Sequence, residues 1–389
     1  MATKQSIKAI NTIYTFLFQG RVLESIELLK QDAKKTGREY LFDDLSKAEF
    51  TYRNILKHSF SGITDPERDK ILISLIRDVI EIADEVKEIL SEEMADNPVC
   101  LLKKQLLKSR YQDQELIGQL LDQQYDGFQI QGLLDDIPLE SNQEESGDTR
   151  NDSVKRIFNY IWFTDKFTDA EINQLLESCK SDYLEWHEKS LIVSALTMSL
   201  LRYFQVSKFE ALMEVVHIRQ YNVWERAMVG LVLAFYIHNS RFFLYPALKE
   251  KLYKLSFEAD ILKHTEAIIN QLTRSKDTEN VTKKWEKDIL PEMMKMQPRI
   301  EEKLNLDRII DESFDEDKNP DWEQFFEDAP DLLDKLQQMT EMQLEGVDVF
   351  MGAFSQLKQF PFFHEHYNWF IPFYSQHPDV KKLSESLPV

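Results

Sequence analysis

Glycine and proline are scarce in this chain: its 389 residues include only ten glycines and twelve prolines. Sheet-rich folds place glycine in their tight turns, so the shortage disfavours a β architecture. The apolar residues recur instead at helical spacing, which predicts amphipathic helices through most of the chain. We therefore expect an all-α protein.

Cysteine is scarcer still. Cys100 and Cys179 are the only two, and they form no CxxC pair. This excludes a disulfide framework and fits a reducing compartment. Cys179 falls in a predicted helix, where it is expected to be a small apolar filler. The N-terminus has no hydrophobic signal segment, and the longest apolar run, Ala227–Ile237, is too short to cross a bilayer. These features predict a cytoplasmic protein without a membrane span.

Positive charge is deficient, with 47 basic against 68 acidic residues and a net charge of −21. Such a surface repels phosphate backbones and anionic membranes, so nucleic acid is not an expected partner. The simplest meaning of the charge is solubility. The alternative is a docking surface for a basic partner.

Motifs for catalysis and cofactor binding are missing: the sequence has no GxGxxG, GxxxxGK[ST], GxSxG or HExxH. We therefore predict no cofactor and no catalytic residue. The segment Asp315–Asp321 carries oxygen side chains at alternate positions, as calcium loops do. Pro320 replaces the required glycine, however, and Phe326 replaces the bidentate glutamate. A solvated acidic loop is the favoured interpretation.

His364 and His366 form the only close histidine pair. On a helix, residues two apart point in different directions and cannot share an ion. On an irregular segment they could bind a metal, with Glu365 nearby. Polar residues around an aromatic core are the favoured interpretation, and the two histidines remain candidate metal ligands.

Two stretches repeat each other: Glu188–Leu196 and Glu225–Leu233 lie 37 residues apart, and each has an acid, a base and then an apolar run. This period falls between those of tetratricopeptide and HEAT repeats. It predicts stacked antiparallel helix pairs, that is, an α-solenoid.

Composition divides the chain into four parts. We predict an N-terminal helical block at 1–135, a flexible acidic linker at 136–153, a helical-repeat block at 154–275, and a C-terminal helical block at 276–389. The last block is rich in acids and aromatics, with eleven acids among residues 311–334.

Several residues mark expected helix ends. Gly20 should end the first helix. Thr64-Asp-Pro-Glu67 should start a long helix that runs to about Glu93. Capping boxes at Thr168–Glu171 and Ser207–Glu210 should each start a helix, and Asn222 is a plausible cap.

Gly230 interrupts the apolar run of the second repeat copy. A glycine inside a helix is tolerated where another helix packs directly against it. The repeat predicts that this neighbour is the helix containing Leu191–Leu201.

Residues 350–374 contain ten aromatic residues. They most simply form a core that joins the last helices. The alternative is an exposed groove for a partner's apolar anchors. The partner-binding candidates in that case are Phe362, Phe363, Tyr367, Trp369 and Phe370.

Six segments between residues 155 and 375 share one further property, namely Phe158–Trp162, Leu191–Leu201, Arg226–Leu233, Lys284–Met294, Gln343–Val349 and Phe362–Phe370. They look like segments of large helical-repeat proteins of Bacteroidetes that are labelled tetratricopeptide-repeat proteins, a resemblance that covers roughly residues 155–375. It implies an α-solenoid, with further repeats expected beyond residue 389. It implies no activity.

These observations favour a scaffold that binds a protein or peptide partner and has no catalysis of its own. One alternative is a metal-dependent or carboxylate-using enzyme with its site in the C-terminal third. Another is a purely structural part of a larger repeat protein.

Overall fold

The computed structural model describes residues 2–60, 67–92, 99–104, 154–181, 184–275, 361–372 and 374, together with 283 and 287. Across these residues the chain forms helices and no strand, which confirms the all-α prediction for them. The predicted linker at 136–153, the acidic run at 311–334 and the calcium-like loop within that run lie outside the described residues.

Four helices form the first block: α1 (Ala2–Phe18), α2 (Val22–Lys35), α3 (Glu39–Phe60) and α4 (Arg68–Glu92). Gly20 follows α1 with a φ of 78°, a left-handed conformation that glycine adopts without strain, so the predicted helix end is confirmed. α4 is described as far as Glu92, and residue 93, where we expect it to end, lies outside the described residues. Of its predicted start signal, Thr64–Glu67, residues 64–66 lie outside the described residues.

The apolar faces of these four helices share one core. α1 packs against both α2 and α4, and α3 packs between α2 and α4. The core side chains include Ile13, Ile26, Leu45 and Val79, all buried, and Leu244 joins them from the second block. In a solenoid, each repeat contacts only its neighbours along the chain. The contact between α1 and α4 instead closes this block on itself.

The second block contains helix α5 (154–163), α6 (Asp169–Lys180), α7 (Trp186–Arg202), α8 (Val206–Ile218) and α9 (Trp224–His238). A 3-10 helix (Asn239–Leu244), α10 (Pro246–Leu255) and α11 (Ala259–Arg274) follow. The two repeat copies lie on α7 and α9, which pack against each other, and α8 packs against α9 and α6.

One predicted cap is confirmed and two are wrong. Thr168 caps α6 in a capping box with Glu171. Ser207 does not cap α8, because that helix begins one residue earlier and the Ser207 hydroxyl is buried inside its first turn. Asn222 does not cap α9: it has a φ of 64°, and its carbonyl accepts a hydrogen bond from the Ser190 hydroxyl. Asparagine tolerates this left-handed conformation, so Asn222 serves the turn that ties α9 to α7.

Gly230 lies where α9 meets α7. It is buried, and a Cβ atom at this position would come 2.3 Å from Oγ1 of Thr197 on α7. The predicted neighbour of Gly230 is therefore confirmed.

The chain divides into two compact units, Met1–Ile261 with Phe370–Val389, and Leu262–Trp369. Among the described residues, the second unit contains most of α11 and two short 3-10 helices, Pro361–His364 and His366–Phe370, the last residue of which belongs to the first unit.

Candidate functional site

Three carboxylates near the end of α4 have the spacing of a cation site. Ligand oxygens of Glu88, Glu92 and Asp165 all lie within 4.8 Å of one another. The ammonium of Lys103 sits among them, at 2.7 Å from Glu88, 2.6 Å from Glu92 and 3.0 Å from Asp165. A cation of the chain itself therefore occupies the position that a metal ion would take.

Arg202 binds the same group from the end of α7. Its Nη1 lies 2.5 Å from both Glu88 and Asp165, and its Nη2 donates to the carbonyl of Trp162. Burial opposes ionisation, but the two basic groups lower the pKa of Asp165 below its ordinary value. The arrangement therefore favours the charged form of Asp165 and holds the charges of the cluster against one another.

Lys208 is fully buried beside this cluster. Its Nζ donates to the carbonyl oxygens of Thr164, Asp165 and Tyr203, which matches the three N–H groups of an ammonium. The rings of Phe167 and Tyr203 lie 5.3 and 5.6 Å away. Burial, with the nearby charge of Arg202, lowers the pKa of Lys208 to about 7. The hydrogen bonds from Nζ hold the α5–α6 connection in place. Since solvent does not reach Nζ, Lys208 is not an accessible nucleophile.

A second network ties the two blocks together. Arg241 donates to both oxygens of Asp84, at 2.5 and 2.7 Å, and the Tyr14 hydroxyl donates to Asp84 at 2.6 Å. Burial disfavours the charged form of Arg241, but the Asp84 carboxylate outweighs this and raises its pKa. Burial, followed by the Asp84 charge, raises the pKa of Tyr14 well above its ordinary value. Such bidentate, buried pairs fix the relative position of helices.

A cavity of about 260 Å³ lies between these two networks, lined by Tyr14, Asp84, Arg202, His238 and Arg241 among others. Its volume is below the usual range of ligand pockets. Asp84, Arg202 and Arg241 already have partners inside the fold. Burial lowers the pKa of His238 to about 4, so its ring is neutral, and the ring bonds the Leu200 carbonyl. The cavity lining is therefore a structural assembly.

A larger groove of about 480 Å³ runs between α3 and α4. Its apolar lining comes from Leu41, Ala48, Ile71, Leu75 and Ile82. Its charged lining consists of Asp44, Asp78, Glu81, Glu85, Lys47 and Lys166.

Large apolar side chains are exposed along α9, from its middle to its end, and in the 3-10 helix after it. We call this the α9 apolar face, and it comprises Val229, Phe235, Tyr236, Ile237 and Phe243, between 40% and 76% exposed. Isolated exposed apolar residues are ordinary, but several of them along one helix and the turn after it are typical of interaction surfaces.

The same region is apolar enough to be compared with a membrane span. By length and composition alone, Trp224–Leu244 would suffice to cross a membrane, with a mean hydropathy of 1.4, and half of the tested window is buried in the protein. Arg241 in this stretch is paired with Asp84, and Gly230 packs against Thr197. These contacts favour a core helix that is only partly covered by the rest of the protein.

The aromatic candidates from the sequence fall in different surroundings. Phe370 packs against Phe158 and Trp162, and its carbonyl accepts a hydrogen bond from Arg226. In the second unit, the rings of Phe363 and Trp369 lie 4.7 Å apart, and the Trp369 indole donates to the Phe363 carbonyl. Tyr367 is buried and Trp369 is 38% exposed. Phe362 lies in the first short 3-10 helix.

The histidine pair falls in the same region, with His364 at the end of one 3-10 helix and His366 at the start of the next. His364 is exposed and His366 is half-buried. Within the described residues, the one group of three or more possible metal ligands consists of Glu88, Glu92 and Asp165, and it includes neither histidine.

Sequence reasoning missed both charged networks. Each network joins residues that lie far apart along the chain: Asp84 and Arg241 are 157 residues apart, and Glu88 and Arg202 are 114 residues apart. One signal was available: Arg241 lies between a nearly unbroken apolar helix and the apolar residues Phe242–Leu244, where an unpaired charge is costly.

Both cysteines are buried. Burial raises the pKa of the Cys179 thiol to about 12, which fits the predicted role of apolar filler and gives no reactive thiolate.

A comparison of the chain with known protein families, with curated proteins and with solved structures finds no match to any of them.

Proposed function

We propose that this chain is a helical scaffold that binds a protein or peptide partner and catalyses no reaction of its own. The observation that carries the proposal is the α9 apolar face. Burying the exposed parts of Phe235, Tyr236 and Ile237 against a partner gains free energy in proportion to the apolar area removed from water.

The chemistry of the described residues supports the same reading. The charged groups that come close enough together to suggest a site, Glu88, Asp165, Arg202 and Lys103, are bound to one another. We further propose that α7 and α9, which carry the two repeat copies, belong to a solenoid of stacked pairs. A reducing, cytoplasmic setting fits two buried free cysteines.

Cross-linking in an extract of the source cells tests this function. A variant with Tyr236→Glu and Ile237→Glu places two charges on the α9 apolar face, and both side chains are more than half exposed, so folding should be retained. The matched control carries Phe50→Glu and Tyr253→Glu, at apolar residues 68% and 63% exposed elsewhere.

We expect a cross-linked protein that is recovered with the parent and the control but lost with the α9 variant. Recovery of the same proteins with all three chains would contradict a binding role for this face. Recovery of none would favour the alternative of a purely structural part of a larger protein.

The other alternative, an enzyme with its site in the C-terminal third, uses residues that lie mostly outside the described ones. It predicts bound metal at His364 and His366. Elemental analysis of the purified parent and of a His364→Ala variant distinguishes this alternative from the scaffold.

A further inference from the structure

The groove between α3 and α4 has the shape of a helix-binding site. Its lining residues on α4 run from Ile71 to Glu85, all on one face, which spans about 21 Å at the rise of an α-helix. Those on α3 run from Tyr40 to Thr51 and span about 16 Å. The lined lengths of α3 and α4 correspond to three to four turns of a third helix that lies along the groove.

The apolar side chains of the groove lie both at its floor and at its rim. Leu41 and Leu75 are buried and form the floor, whereas Ile71 is 43% exposed and Tyr40 is 47% exposed. The volume of the groove holds a few side chains and not a whole helix. An occupant must therefore insert the apolar face of a helix and keep its backbone above the groove, as amphipathic helices do in hydrophobic grooves.

The charges of the groove decide the sign of the occupant. Four carboxylates and two lysines line it, a net charge of −2. Lys47 lies 2.8 Å from Asp44, and Lys166 lies 3.5 Å from Glu85, so both lysines are beside a carboxylate. Glu81 is exposed as a residue, but neighbouring groove atoms partly desolvate its carboxyl group, and this raises its pKa because Lys166 compensates only in part. A cation placed beside Glu81 would stabilise its charged form.

We propose that this groove receives the apolar face of a basic amphipathic helix from another protein, with lysine or arginine side chains beside Asp78 and Glu81. Charge complementarity favours this occupant, since an acidic helix would meet four carboxylates in a protein of net charge −21. The inference rests on the proposed scaffold function but uses a different surface from the α9 apolar face.

A selection from displayed random peptides tests the proposal. The probe is a library of peptides of about 15 residues, or four helical turns, selected on the immobilised full chain. We expect enriched sequences with net positive charge and apolar residues at i, i+4 and i+7. A synthetic enriched peptide is then titrated by fluorescence polarisation against the parent and its variants.

The groove variant carries Asp78→Lys and Glu81→Lys, and both residues are exposed. The control variant carries Glu27→Lys and Asp43→Lys, also exposed, which give the same change in net charge outside the groove. We expect the groove variant to bind at least about tenfold more weakly, since two attractive charge pairs become repulsive, and the control to stay close to the parent.

Several outcomes would overturn the inference. Enriched peptides that are neutral or acidic, or that lose the same affinity with both variants, contradict a basic helix in this groove. The inference is also contradicted if sedimentation shows that the parent is a dimer and the groove variant is a monomer, because the occupant of the groove is then a second copy of this chain. If the peptides are lost with the Tyr236→Glu, Ile237→Glu variant alone, the groove is refuted and the scaffold function stands. If no peptide is enriched, the groove proposal is refuted, and the cross-linking comparison of the α9 variant decides the scaffold function separately.

Discussion

A side chain at position 230 tests the packing of α7 against α9. A Cβ there would lie 2.3 Å from Oγ1 and 3.2 Å from Cγ2 of Thr197, closer than packed atoms approach. Thr197 cannot turn away freely, because it is β-branched, is only 9% exposed, and donates its hydroxyl to the Val193 carbonyl at 2.9 Å. Relief therefore requires α7 and α9 to separate.

The balance of two effects sets the magnitude. Replacing a mid-helix glycine by alanine gains about 1 kcal/mol of helix propensity, whereas overpacking a core costs about 1–3 kcal/mol. We expect Gly230→Ala to lower the free energy of unfolding by about 0–2 kcal/mol. Gly230→Leu brings more atoms into the same contact, and we expect a loss of about 3 kcal/mol.

A double-mutant cycle identifies the cause. Thr197→Ala removes both atoms nearest to the added Cβ, so in this background Gly230→Ala should stabilise by about 1 kcal/mol through helix propensity. The change of sign is the coupling between the two positions, expected at about 1–3 kcal/mol.

The assay is urea denaturation followed by circular dichroism, with the slope compared among variants to confirm that only stability has changed. Val229→Leu serves as the control, because Val229 precedes Gly230 but is 40% exposed. A neutral or stabilising Gly230→Leu, or an alanine cycle without coupling, would refute the close contact between α7 and α9.

Three further predictions concern buried groups. Arg241→Met should destabilise by about 3–5 kcal/mol, because it leaves the buried Asp84 charge unpaired, and adding Asp84→Leu should recover much of the loss in urea titrations; equal losses would contradict this. The pKa of His238 is about 4 in the folded protein, against about 6.5 for an unfolded histidine. The folded state therefore keeps His238 neutral, and this contribution to stability is complete above about pH 6.5 and is lost as the pH falls. Between about pH 7.5 and 5.5, the free energy of unfolding of the parent should fall by about 1 kcal/mol more than that of His238→Gln. Cys100 and Cys179 should react with Ellman's reagent only after denaturation, and rapid labelling of the native protein would show that one of them is accessible.

Local signals in the sequence predicted much of the helical structure. Gly20, Thr168 and the apolar spacing of α4 act within a few residues of their own position, so their meaning survives without knowledge of the fold. Gly230 also indicated its neighbour, because a missing side chain in an apolar helix implies something pressed against it.

The caps at Ser207 and Asn222 failed for different reasons, one local and one tertiary. Ser207 is buried in the first turn of α8, and Asn222 takes a left-handed conformation while its carbonyl bonds α7. Side-chain patterns in the sequence do not reveal a contact such as the one between Asn222 and α7. The charged networks failed in the same way, since the partner of Arg241 is one of 68 acidic residues and only the fold selects Asp84.

The position of Lys103 has a consequence for how this part of the fold is maintained. A metal at such a site arrives by diffusion, so its occupancy follows the supply of that ion and a chelator removes it. The ammonium that sits among Glu88, Glu92 and Asp165 is part of the chain, and its local concentration depends only on the peptide that carries it. The positive charge that these three carboxylates need at this junction is therefore present whenever the chain folds, and does not depend on the metal ions in the solution.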